Sequence, residues 1–152
     1  MSALALFNPS KREMDVLLTV GEQISVALMA MQLEKMRLPV VSLTGWQIEM
    51  NTDSTYGAAR IKSISTERIR RELDKNRIVL VAGFQGINKY GDVTTLGRGG
   101  SDTTAVAIAA VLGADKCRRS RRTFSHSRRT TGSPQPSRVP STVPASRRRS
   151  GP

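Results

Sequence analysis

Cysteine is almost missing from this chain: Cys117 is the only one among 152 residues. A single thiol excludes an internal disulfide framework and fits a reducing compartment, so the expected location is the cytoplasm. No uninterrupted apolar run reaches the ~20 residues that span a bilayer, so no membrane partner is expected. The opening stretch has an apolar patch from Ala3 to Phe7. It lacks a basic segment before the patch and a small-residue cleavage site after it, which argues against a secretory signal.

Acidic residues are missing from one end only. From Cys117 to Pro152 there are ten Arg, no Lys and no Asp or Glu. Met1 to Lys116 carries 14 Lys+Arg against 12 Asp+Glu. The formal charge of +12 is thus mostly a property of the tail. Reading the whole chain as a basic nucleic-acid binder would merge two different objects. Residues 118–152 hold almost no large apolar groups, cannot bury enough surface to offset ordering entropy, and are expected to be disordered. Their Arg clusters could neutralise phosphates. Without interleaved aromatics or a known module, no specific nucleic-acid partner is expected.

What remains is an α/β pattern. Ser10 and Glu13 have capping-box spacing, and Met14, Leu17 and Leu18 open a helical periodicity. Gly21 interrupts it, so two helices meeting there or one kinked helix would fit. Pro39 closes this region, and Val40 to Leu43 reads as a buried strand. Trp46 to Gly57 reads as a polar loop, with Trp46 and Tyr56 as packing and loop residues, and Ala59 to Ile64 as a strand. Thr66 can cap a helix running through Leu73, with Asn76 closing it. Ile78 to Phe84 is a β-branched run of the kind buried in a parallel sheet. A glycine-rich loop leads to an Ala-rich helix from Ser101 to Leu112, with Gly113 at the cap. The alternation predicts an α/β three-layer sandwich around a mostly parallel central sheet.

The chemistry concentrates after that last strand, in Thr94-Thr95-Leu96-Gly97-Arg98-Gly99-Gly100-Ser101-Asp102-Thr103-Thr104. Glycines before a helix let backbone N–H groups converge on an anion, and the helix dipole adds positive potential. Arg98 offers a planar fork suited to a carboxylate. A plain structural turn with Ser101-Asp102 as an N-cap pair explains the same residues about as well. Glu22 could equally be an exposed helix acid.

This stretch resembles the aspartokinase signature. Lys11-Arg12-Glu13-Met14-Asp15, Gly21-Glu22-Gln23-Ile24-Ser25, Ser42 to Gln47 and Val81 to Gly86 resemble other segments of that family, in order. The likeness covers roughly 8–117. It implies an amino-acid-kinase fold and transfer of the γ-phosphoryl of ATP to the side-chain carboxylate of L-aspartate, with Mg²⁺ helping to neutralise charge. That is the first step of the diaminopimelate route to lysine, threonine and methionine. By the resemblance Arg98 clamps a carboxylate and Glu22 faces the ammonium. Phe84, Gly99, Gly100 and Ser101 line the pocket, Asp102 organises the reacting groups, and intact members are oligomeric. Another amino-acid kinase, acting on glutamate or carbamate, is the alternative.

The resemblance has limits. The family's Lys-Phe-Gly-Gly-Thr-Ser motif has no match in 1–10, and its nucleotide segment has none after Cys117, so the nucleotide-binding residues stay unassigned. The division expected is a partial catalytic domain, 1–117, and a basic tail, 118–152. A reading-frame shift in a GC-rich gene would give that change of composition. This chain alone is expected to show no turnover.

Overall fold

The computed structural model describes residues 8–120. The expectation of disorder for the basic tail falls almost entirely on residues outside that range. The described elements are α1 (Lys11–Lys35), β1 (Val40–Leu43), a 3₁₀ turn (Trp46–Ile48), β2 (Asn51–Thr52), β3 (Ile61–Ser63), α2 (Glu67–Leu73), β4 (Ile78–Val81), β5 (Gln85–Ile87), β6 (Val93–Thr95) and α3 (Gly100–Leu112).

α1 is one continuous helix of 25 residues, not two. Gly21 costs about 1 kcal/mol relative to Ala inside a helix, too little to break an element with this much propensity and packing on both sides. Ser10 caps its start, accepting from Glu13 N at 3.3 Å. Its end is a Schellman turn. Arg37 takes φ 60°, Leu38 N donates to Leu33 O and Arg37 N to Glu34 O. α1 is long and apolar enough by composition to cross a bilayer, its most apolar 18-residue stretch having a mean hydropathy of 1.5. Interruptions at Gly21, Glu22 and Gln23 conceal this from a search for unbroken apolar runs. Of its residues only Asp15 and Thr19 are buried.

The α/β architecture with parallel pairing is present. β1 and β4 pair in parallel, Val40 opposite Ile78 through Leu43 opposite Val81. The second sheet runs β3-β2-β5-β6. Within it β2 and β5 meet in parallel, while β2–β3 and β5–β6 are antiparallel. The presumed glycine-rich loop is therefore largely a hairpin, turning at Asn88 to Asp92. Leu43, Ile48, Met50 and Ile69 form the buried core, with Leu96, Ile108 and Leu112 packed against it. Trp46 is 40% exposed and is not a core residue.

α2 is held by a closed charge cluster. Glu72 is 2% exposed and faces Arg77 at 2.9 Å, Arg68 at 3.3 Å and Lys75 at 3.6 Å. Burial pushes its carboxyl pKa up, but Lys75, Arg68 and Arg77 together hold it below the usual carboxylate value.

A candidate acid-binding cleft

The cleft begins with the way α1 is fastened to the second sheet. Asp15 is 1% exposed and accepts three hydrogen bonds. Thr95 Oγ1 donates to its Oδ1 at 2.7 Å, and Thr95 N and Gly57 N donate to its Oδ2 at 3.0 and 2.9 Å. Two turns further along the same face lies half-buried Glu22. Beside it Gln23 Nε2 donates to buried Gln85 Oε1 at 3.3 Å. These bonds set Glu22 opposite the segment that follows β6.

That segment turns sharply. Gly97 and Gly99 take φ 73° and 80°, values that cost an L side chain, and Gly99 is the N-cap of α3. The cap makes no side-chain hydrogen bond, so Ser101 and Asp102 are first-turn residues, not a cap pair. Gly100 N donates to Gly97 O, whereas Ser101 N and Asp102 N find no backbone acceptor among the described residues. Such first-turn N–H groups are the usual anion donors of a helix start. Gly100 is required by proximity: a Cβ there would stand 2.7 Å from Phe84 Cδ2 and 2.8 Å from Leu96 Cβ. Phe84 itself has φ 67°, a strained backbone for an aromatic residue. It is held by its N–H to Thr104 Oγ1 at 3.1 Å and by Leu96 N donating to its carbonyl at 2.9 Å.

Together these elements enclose an open cleft of about 320 Å³. Its lining is Glu22, Phe84, Gly97, Arg98, Gly99, Gly100, Ser101 and Asp102. All seven site residues expected from sequence therefore meet in one place, although Glu22 is more than 60 positions from the rest. Arg98 is exposed, and neither it nor Glu22 has an ion-pair partner among the described residues. A free cation, a free anion and unpaired N–H groups facing one cavity suit a small zwitterion bearing an additional negative group.

Other contacts were not legible beforehand. Asp102 is paired with Arg119 at 2.9 Å, with both side chains about half exposed. Tyr56 is no idle loop residue: its hydroxyl donates to Asp92 Oδ2 at 2.8 Å, and Arg12 Nη2 and Nε reach Asp92 Oδ1 at 2.8 and 2.9 Å. The Arg12 contact, and then Tyr56, hold the Asp92 carboxyl below its usual value, while the same hydrogen bond raises the Tyr56 phenol. An adjoining groove of about 450 Å³ shares Phe84, Gly97 and Arg98 with the cleft. Among the described residues no three His, Cys, Asp or Glu converge as a metal-ligand set.

Comparison with known proteins agrees with this geometry. Residues 7–119 match the model of the amino acid kinase family. The chain is 61% identical over 110 residues to an aspartokinase of Geobacillus stearothermophilus, covering 72% of this chain and 27% of that protein. It is 54% identical over 109 residues to aspartokinase 2 of Bacillus subtilis strain 168, again covering 72% and 27%. Among solved structures it resembles E. coli aspartokinase III in complex with aspartate and ADP, with TM-score 0.61 and 26% identity over 72% of this chain and 25% of that one. The complex of that enzyme with lysine and aspartate fits equally, with TM-score 0.61. The chain spans about a quarter of the length of these relatives. A signature turn, the helix opposite it and the match across three-quarters of the sequence agree: this chain belongs to the amino acid kinase family.

Proposed function

We propose that residues 8–117 form the acceptor-binding part of an aspartokinase catalytic domain. The observation that carries this is the convergence of Glu22, Phe84 and Arg98–Asp102 on a single cleft. In this reading the Arg98 guanidinium holds a carboxylate of L-aspartate in a two-point contact, and Glu22 accepts from its ammonium. Phe84, Gly99, Gly100 and Ser101 bound the pocket, with Ser101 N and Asp102 N available to a carboxylate. Asp102 orients the groups around the acceptor once it leaves Arg119. ATP supplies the γ-phosphoryl group, which the side-chain carboxylate accepts to give 4-phospho-L-aspartate. Mg²⁺ would act with the ATP phosphates, helping to neutralise the charge of the transferring group. The compartment proposed is the cytoplasm and the pathway that of lysine biosynthesis.

Titration of this chain with L-aspartate by calorimetry tests the reading. Saturable binding of L-aspartate, and weaker binding of L-glutamate and D-aspartate, is the expected result. Arg98→Lys should weaken it ten- to hundredfold, the equivalent of about 1.5–3 kcal/mol for a lost charge-assisted hydrogen bond. If Arg98→Lys left aspartate binding intact and weakened ATP instead, the glycine turn would be a phosphate site and the proposal wrong.

A further inference from the structure

We propose that Thr104 is a positioning residue of the acceptor cleft. Its hydroxyl holds Phe84 in a strained backbone, from which the ring walls the cavity and limits the length of acid it takes. This rests on the acceptor-site reading above and deepens it. Thr104 lies on α3, one turn past Gly100, and is 3% exposed. It lines neither the cleft nor the adjoining groove, so it acts on a ligand through what it holds.

An aromatic residue keeps a left-handed backbone, here φ 67°, where its surroundings over-determine it. Three contacts do so at Phe84. Its N–H finds no backbone acceptor among the described residues and donates to Thr104 Oγ1 at 3.1 Å. Its carbonyl accepts from Leu96 N at 2.9 Å. The first turn of α3 closes on the ring, since a Cβ on Gly100 would stand 2.7 Å from Phe84 Cδ2. Gly83 lets α3 come this near: a Cβ there would lie 3.2 Å from Ser101 Cα. Of the three contacts, the bond to Thr104 is the one made by a side-chain polar atom, so it can be removed while the backbone sequence around the turn stays the same.

The ring so fixed stands between two spaces. Phe84 lines both the cleft of about 320 Å³ and the groove of about 450 Å³, whereas Glu22 lines the cleft alone. A residue freed to relax to negative φ re-aims its side chain, and the two spaces then open toward one another. An acid one methylene longer than aspartate gains room that the fixed ring denies it. Thr103, next in the chain, gives the contrast. It is exposed, and its hydroxyl donates within the same helix turn, to Gly99 O at 3.3 Å.

Calorimetry of the full 152-residue chain with L-aspartate and L-glutamate is the test, with far-UV circular dichroism and thermal melts as fold controls. Thr104→Val keeps the side-chain shape and removes the acceptor. It should weaken L-aspartate about tenfold, the cost of one orphaned N–H. It should also shrink the preference for L-aspartate over L-glutamate, which a fixed wall makes roughly tenfold or more per methylene. Thr104→Ser keeps the hydroxyl and should keep both affinity and preference, and Thr103→Val should change neither. Amide hydrogen exchange followed by NMR should find Phe84 N–H slow in the wild type and in Thr104→Ser, and about tenfold faster or more in Thr104→Val. A variant that merely loosened the fold would lower Tm and leave the ratio of the two affinities where it was. In a folded Thr104→Val, an unchanged ratio overturns the proposal. Should Thr104→Val not fold, fast exchange of Phe84 N–H in the wild type, or a lost preference in Thr104→Ser, overturns it instead. A wild type that binds no L-aspartate removes the acceptor-site reading itself, and this inference with it.

Discussion

Two charged clusters in this molecule use the same residue types to opposite ends. Around Glu72, three cations close on one buried carboxylate and none of its oxygens is left for a ligand. Around the cleft, Arg98 and Glu22 face a cavity with no partner among the described residues. The first arrangement is structure: its electrostatics are completed by folding. The second is left open and can be completed only by something that enters. Asp15 belongs with the first kind, since three donors saturate it. It borders the second, because it fixes the helix that carries Glu22. The contrast separates stability from binding, and that separation can be measured.

The largest effect should come from Asp15→Ala. A methyl group accepts nothing, so Thr95 N and Gly57 N lose the Oδ2 they share and Thr95 Oγ1 loses Oδ1. Each orphaned donor costs about 1–3 kcal/mol, and a domain of this size loses ~4–8 °C of Tm per kcal/mol. Thermal melts would show it, and an unchanged Tm would remove Asp15 from the closed class. Arg98→Lys should do the reverse, weakening aspartate binding ten- to hundredfold in calorimetry while leaving Tm within about a degree. Glu22→Gln should follow the same pattern more mildly, since an amide oxygen still accepts from an ammonium but without its charge.

Acid should act on the closed cluster. Glu72 and Asp92 have folded pKa values below those of the unfolded chain. Their stabilisation is therefore complete above the ordinary carboxylate range, near 4, and is lost as pH falls through the depressed values. Melting temperature followed from pH 7 down to 2 should decline in that window, and Glu72→Gln should flatten the decline. The smallest effect should belong to Arg119→Ala. An exposed pair is worth about 0–1 kcal/mol, so Tm should barely move.

Elements with local signals were readable in advance. Ser10 capping α1, Gly113 capping α3 at φ 67° and the β-branched core of β4 follow from short-range chemistry. So does the signature turn, whose glycines have specific backbone tasks. The β5–β6 hairpin escaped because Gln85-Gly86-Ile87 and Val93-Thr94-Thr95 are short, and Asn88 to Asp92 looks like any polar loop. Asp15 escaped for another reason. Its partners Gly57 and Thr95 are 42 and 80 residues away, and a buried carboxylate bound to backbone leaves no periodic trace. Gly21 left one helix or two open because a local propensity of about 1 kcal/mol does not decide between them, whereas packing along the rest of α1 does.

The Arg119–Asp102 contact makes ionic strength a control on the cleft. Both groups are about half exposed, so added salt screens their attraction, with a Debye length of about 8 Å near physiological strength. Salt would release Asp102 toward the cavity while weakening the hold of Arg98 on any carboxylate there. The two responses oppose each other, so aspartate affinity in this chain should vary little with salt. Removing Arg119 would leave only the second response and make the dependence steeper.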